Sequence, residues 1–284
     1  MTSQLDEDLT VVILAHPVKS HPSLELVLAT FDSLKHLNLS SKTKIIISHD
    51  RPKNSLEQER VVAFNLYLTK LTEYFSKKPN VLITTTKHHA FLSGNIAHAL
   101  QFVDTKYLLL MQHDLAFRTS INLRGLLWAM SENDEIKHIR FNKRPNYVKE
   151  GWDFYLKSRL DFIEEKVFQT PKGNVSLFRT LAWSDQNHLT TLDYYKNLVL
   201  PFCGSFKVYP EDILNPFTRR KLFSIFGNYV YGDLQFEAAL DDLDGSKGRW
   251  DEMSGPDNFL RRVKMSLHYR RNKWKILKYL LAQD

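Results

Sequence analysis

A chain of 284 residues is long enough for one large domain or two small ones, and 43% hydrophobic with 25% charged residues is a globular rather than a disordered balance. The formal net charge of +7 permits anionic ligands or surfaces without specifying nucleic acid. A single cysteine, Cys203, excludes an internal disulfide and a cysteine-rich metal site, and reads as a small core residue.

The opening MTSQLDEDL is acidic and polar, without the basic and apolar regions of a signal peptide, and no run is long enough for a transmembrane helix. A cytoplasmic protein is the expectation. Val11–Ala15 reads as a first strand, and Leu24, Leu28, Phe31 and Leu34 recur at helical spacing within 22–39. Thr43–Ser48 is a second strand, leading to His49-Asp50. Strand, helix, strand implies parallel pairing. A helix over Glu57–Tyr74 and a third strand over Val81–Thr86 follow. Ser93-Gly94-Asn95 then precedes a short helix, Ile96–Val103, whose N-terminal amides would face an anion.

The stretch KYLLLMQHDLAF, residues 106–117, organises the rest. Its apolar run fits a strand buried on both faces of a parallel sheet. It delivers Gln112, His113 and Asp114 at the carboxyl end, where open α/β sheets hold ligands. No GxGxxG or GxxxxGK[ST] is present, so a dinucleotide or P-loop enzyme is poorly supported. Beyond this stretch, Leu123–Met130 predicts a helix and Lys137–Phe141 a strand. The charged, aromatic segment from Asn142 to Phe168 is expected to leave the sheet, and Val175–Phe178 to return to it. Leu189–Leu200 predicts a helix ended by Pro201. Glu211 and Asp212 head a helix after Pro210, a short helix is expected around Glu237, and Asp241 and Asp242 fall in an expected loop. The basic stretch 259–281 predicts a closing helix.

With Asp50 after an early strand, then Gly94-Asn95-Ile96-Ala97-His98-Ala99, then the apolar strand ending at Gln112-His113-Asp114, the chain resembles GT-A type glycosyltransferases. The resemblance covers nearly the whole chain in element order but only short pieces in residue identity. It implies a mainly parallel twisted α/β sheet flanked by helices. Residues 1–141 would be the nucleotide-sugar-binding half. Residues 142–284 would carry the acceptor-binding portion and a basic closing helix, the two making one compact domain. The implied reaction moves a sugar from a nucleoside-diphosphate donor, UDP-linked, to a glycan hydroxyl with inversion.

The same resemblance assigns Asp50 to the nucleoside, and Gly94, Asn95, Gln112 and His113 to the donor. Asp114 stands as the last member of a D-x-D whose first aspartate is replaced by Gln112. Asp114 and His268 would hold Mn²⁺ or Mg²⁺, cations that prefer oxygen ligands and need few protein carboxylates when phosphates complete the shell. Arg270 and Arg271 would clamp phosphate. An inverting transfer needs a base for the acceptor hydroxyl, and Asp212 with Glu211 is preferred over Asp185. Alternatives are a non-catalytic nucleotide-sugar or glycan-binding protein of the same fold, and a nucleic-acid-binding protein, for which no recognisable motif is present. The basic C-terminus also suits peripheral contact with an anionic membrane.

Overall fold

The structure is a computed structural model, and it describes residues 8–53, 58–146, 162–203, 209–218 and 223–243. Four strands, β1 (Leu9–Ala15), β2 (Lys44–His49), β3 (Val81–Thr85) and β4 (Tyr107–Gln112), run parallel in the spatial order β3-β2-β1-β4. The α/β class and this parallel run agree with expectation. The remaining strands make the sheet mixed. β9 (His188–Thr191) lies antiparallel between β4 and β6 (His138–Arg140). β10 (Asn228–Tyr231) is parallel to β6, and β8 (Val175–Thr180) and β7 (Phe162–Phe168) close the far edge antiparallel. A separate two-stranded ribbon pairs β5 (Leu115–Phe117) with β11 (Leu240–Asp242).

Strand alternation divides the core into two layers. Val11, Ile13, Ile45, Ile47, Leu109 and Met111 face one side, which α1 (Glu25–Asp32), α2 (Gln58–Phe75) and α4 (Leu123–Glu132) cover. Val12, Leu14, Ile46, Leu108 and Leu110 face the other. That side is covered by α3 (Phe91–Ala99), by a helix we call α5, and by α6 (Pro210–Thr218). Helix α5 begins at Leu192–Tyr194, widens into a π turn over Tyr195–Val199 and ends with Leu200–Cys203. Pro201 therefore sits inside the helix instead of ending it. Its missing N–H interrupts the i→i−4 ladder, and the wider turn directly before it accommodates the break. Cys203 is buried in this layer, as its composition suggested, and burial pushes its thiol up to about 12.

Further expectations are corrected. Residues 189–191, expected at the start of a helix, belong with His188 to the central strand β9, where Thr190 and Thr191 suit the sheet by β-branching. The end of the charged 142–168 segment is the edge strand β7 rather than an excursion; Glu164 and Glu165 face solvent there, which blunts an open edge. Residues 233–239 around Glu237 are turn and irregular backbone, and Asp241 and Asp242 belong to β11. Helix α3 begins at Phe91, so Gly94 and Asn95 lie inside it. Among the described residues no helix is long and apolar enough to cross a membrane.

Candidate active site at the carboxyl edge of the sheet

Strand order reverses between β1 and β4, since β1 is followed by β2 and β3 on one flank while β4 lies on the other. The carboxyl ends on either side of that point form the crevice in which open α/β sheets take ligands. Ala15, Asp50 and Gln112 leave the sheet at this edge, and the parallel sense of β4 and β6 brings Arg140 to the same edge.

Asp50 is buried, and its carboxylate accepts from the backbone N–H of Ala90 at 2.7 Å, of Phe91 at 2.9 Å and from the Thr86 hydroxyl at 3.2 Å. His89 Nδ1 lies 2.9 Å from Oδ2. The anion at the start of α3 is thus the chain's own carboxylate, supplied from forty residues upstream. That cap explains why the helix starts before Gly94, and why no local signal marked its start. Replacing Asp50 by Ala strands two amides away from water, and a stability loss of about 3 kcal/mol is expected. A urea midpoint equal to wild type would show that Asp50 does not hold α3.

Gly94 and Asn95 serve the same junction. A Cβ on Gly94 would stand 2.6 Å from the Ala90 Cβ, so only glycine admits this close approach. The Asn95 amide donates to the carbonyls of Ala15 and Ser48 and accepts from the Ser48 hydroxyl at 2.7 Å. It ties the ends of β1 and β2 together. His113 is buried, with Nδ1 donating to the Leu14 carbonyl at 3.1 Å and its ring edge against His16. Asp114 is 4% exposed in the turn between β4 and β5.

Gln112 reaches across the edge. Its side-chain amide donates to the Asp185 carbonyl at 2.8 Å, while its backbone N–H donates to the Asn187 side chain at 2.9 Å. A carboxylate in place of Gln112 has no proton to give that carbonyl, which supplies a physical reason for an amide at this position. Asn187 also donates to the Leu115 carbonyl at 2.8 Å, and so fixes both sides of the β4–β5 turn.

The three acidic candidates gather at the start of α6. Glu211 Oε2 accepts from the Ser184 hydroxyl at 3.1 Å and the Asp185 N–H at 3.3 Å, while the Glu211 N–H donates back to Asp185 Oδ2 at 3.3 Å. Asp185 is half-buried as a residue, but its Oδ1 is sealed from solvent and has no hydrogen-bond partner among the described residues. Burial first, then the charges of Glu211 and Asp212, hold its carboxyl well above the usual carboxylate range. Asp212 is exposed in the first turn of α6, where the helix dipole favours negative charge.

Beneath this group lie Trp183 and His188, which stand on either side of Asp185 in the sequence, together with His138 and Arg140, which the sequence did not mark. His138, His188 and Trp183 pack as a cluster of tilted rings, with 4.5 Å between the imidazole centroids and 4.9 Å from His138 to Trp183. His188 donates from Nδ1 to the Gln186 carbonyl at 2.6 Å and accepts from the Tyr195 hydroxyl at Nε2, 2.8 Å away, which sets its tautomer. Burial pulls its imidazole down to about 4 and that of His138 well below the usual value. Trp183 is fully buried and belongs to the core. Arg140 is 4% exposed beside them. Burial lowers its guanidinium to about 10 against the opposing pull of Glu211.

Of the two expected metal ligands, Asp114 falls within the described residues, whereas His268 lies outside them, as do Arg270, Arg271 and the whole 259–281 segment. Among the described residues no three His, Cys, Asp or Glu side chains converge on a metal position. This donor set does not make a protein cage. It fits a cation whose other ligands are phosphate oxygens and water.

No protein-family model matches the chain, and no curated protein matches it in sequence. Similar solved structures include S. aureus TarS 1–349, at 13% identity and TM-score 0.44, covering 81% of this chain and 59% of that one. The same TarS portion in complex with UDP-GlcNAc matches at 12% and 0.44, covering 83% of this chain and 61% of that one. A mannosyltransferase from Pyrobaculum calidifontis in complex with GDP-Man and Mn²⁺ matches at 9% and 0.41, covering 66% and 46%. This chain spans less than two thirds of each.

Proposed function

We propose that the chain is a glycosyltransferase of GT-A type, moving a sugar from a nucleoside-diphosphate donor to a hydroxyl acceptor with Asp212 as the base. The observation that carries this reading is the bond from Gln112 to the Asp185 carbonyl, 2.8 Å long. It ties the β4 exit, two residues before Asp114, to the Asp185 loop that Glu211 holds at the head of α6. Donor phosphate and acceptor hydroxyl need these two kinds of group next to one another.

In this reading the roles separate by environment. Glu211 and Asp185 lock the loop to α6 through their reciprocal bonds. A carboxyl held well above its usual range, as in Asp185, retains its proton and is a poor acceptor of another. Asp212 is exposed and placed to take the acceptor proton. Asp50, Gly94 and Asn95 shape the floor against which the nucleoside lies, Asp50 acting through the 89–91 backbone it holds. A bound Mn²⁺ or Mg²⁺ would neutralise charge on the diphosphate leaving group. Among the chain's residues Asp114 would hold it, with His268 as the second expected ligand and Arg270 and Arg271 as phosphate contacts.

A mass-spectrometric screen of UDP-, GDP- and other nucleotide sugars, with and without Mn²⁺, tests the function by reading free nucleotide and transferred sugar. Nucleotide release in none of them, with binding intact, would favour the non-catalytic binding protein. Asp114→Asn is expected to keep the fold and lose most metal-stimulated turnover. An unchanged response to Mn²⁺ and to chelator in that variant would remove Asp114 from the metal.

A further inference from the structure

The Arg140 guanidinium closes the end of β6 and is almost wholly buried, yet among the described residues its Nε and Nη2 have no hydrogen-bond partner. A guanidinium withdrawn from water without partners is strongly unfavourable unless something else supplies them. The two open atoms are not arbitrary. Nε–H and one Nη2–H point the same way and form a side-on fork, whose spacing matches two oxygens of a carboxylate or phosphate. Glu211 is the acidic group that acts on Arg140 electrostatically, but no ion pair joins them. Glu211 is already engaged by Ser184 and the Asp185 N–H. The other neighbours cannot serve as anions. His138 and His188 feel the guanidinium as a like charge and stay neutral, and His188 has both ring nitrogens engaged.

We propose that Arg140 is an oxyanion-binding residue, its Nε/Nη2 fork taking two oxygens of a phosphate or carboxylate on a substrate entering at the carboxyl edge. The oxyanion has two possible sources, the donor diphosphate or an anionic substituent on the acceptor. Because β9 separates β4 from β6 and His188 pairs with both Leu110 and Arg140, Arg140 stands two strand spacings, about 10 Å, from Leu110, two residues before the β4 exit. That offset places it on the acceptor side of Asp114. The inference rests on the transferase reading for its location, but oxyanion binding is measured without any transfer, so the two fail separately.

The test uses the full chain as wild type, Arg140→Met and Arg140→Lys. Inorganic phosphate and UDP are titrated by calorimetry at ionic strength fixed with chloride, and thermal midpoints are measured without ligand. Wild type is expected to bind phosphate. Arg140→Met should lose about 10- to 100-fold in phosphate affinity while keeping or raising the unliganded midpoint, since an unpartnered charge has been removed. Arg140→Lys retains charge without the fork and should recover only part of the affinity. A parallel loss of UDP affinity would assign the fork to the donor diphosphate, and unchanged UDP affinity to the acceptor. No phosphate binding by wild type would overturn the proposal. So would an Arg140→Met variant that binds phosphate normally but melts well below wild type, which would make Arg140 a structural partner of Glu211. Should the methionine variant not fold, full phosphate affinity in the lysine variant would overturn the fork.

Discussion

Asp212→Asn is expected to reduce turnover about 10²- to 10⁴-fold at saturating donor, the usual contribution of a positioned proton-transfer group. Donor affinity should stay within error of wild type, and the unfolding midpoint should fall only slightly, by the loss of one charge in the first turn of α6. The side chain is exposed, and its departure opens no cavity. Glu211→Gln is the informative companion, because Glu211 holds Ser184 and the Asp185 N–H. It should loosen the loop, so a moderate loss of turnover accompanied by a lower midpoint is expected. A large loss in Glu211→Gln with full stability, and none in Asp212→Asn, would move the base to Glu211. If only Asp185→Asn loses turnover, the proton-holding assignment of Asp185 is wrong.

Acid is expected to unfold the chain well above the range of ordinary carboxylates. Burial lowers His188 to about 4 and His49 to about 3; the second donates from Nδ1 to the Thr84 carbonyl and accepts from the Tyr67 hydroxyl. His21, lowered to about 4, and His138 shift the same way. Folded imidazoles with depressed values refuse protons that the unfolded chain accepts below pH 6.5. Their contribution is therefore full above that value and is lost as pH falls toward 4. At pH 5 the loss from His188 and His49 is about 2 kcal/mol each, a large share of a typical domain's stability. Asp185 opposes the trend, because its folded carboxyl holds a proton more tightly than the unfolded one. Urea midpoints at pH 7 and pH 5 read the balance. His188→Gln and His49→Gln, which each keep a donor and an acceptor, should flatten the slope. An unchanged slope in both would show that these imidazoles do not set it.

The parallel half of the sheet was legible because its strands are buried on both faces. Runs such as Ile45-Ile46-Ile47 and Leu108-Leu109-Leu110 announce themselves within a few residues. β9 did not, since His188-Leu189-Thr190-Thr191 abuts a helical pattern and is a strand only because β4 and β6 lie on either side of it. The start of α3 was hidden for a similar reason, its cap being the distant Asp50. Asp185, Glu211 and Asp212 were visible by residue type, and the structure adds the Glu211–Asp185 latch and the proton-holding setting of Asp185. Arg140 was invisible: an arginine at the end of a short strand reads as a solvated charge, and nothing local shows that it is buried.

The position of β9 also bears on how the chain is made. β4 is apolar from Leu108 to Met111, yet one flank stays open until residues 188–191 arrive, more than seventy residues later. During synthesis from the N-terminus, the nascent sheet therefore exposes a greasy, unpaired border while the intervening segment is translated. Such borders recruit other chains, and pairings so distant in sequence form slowly. A fragment truncated near residue 141 would carry that border permanently, and we expect it to aggregate, whereas a fragment extended past β9 would have it sealed.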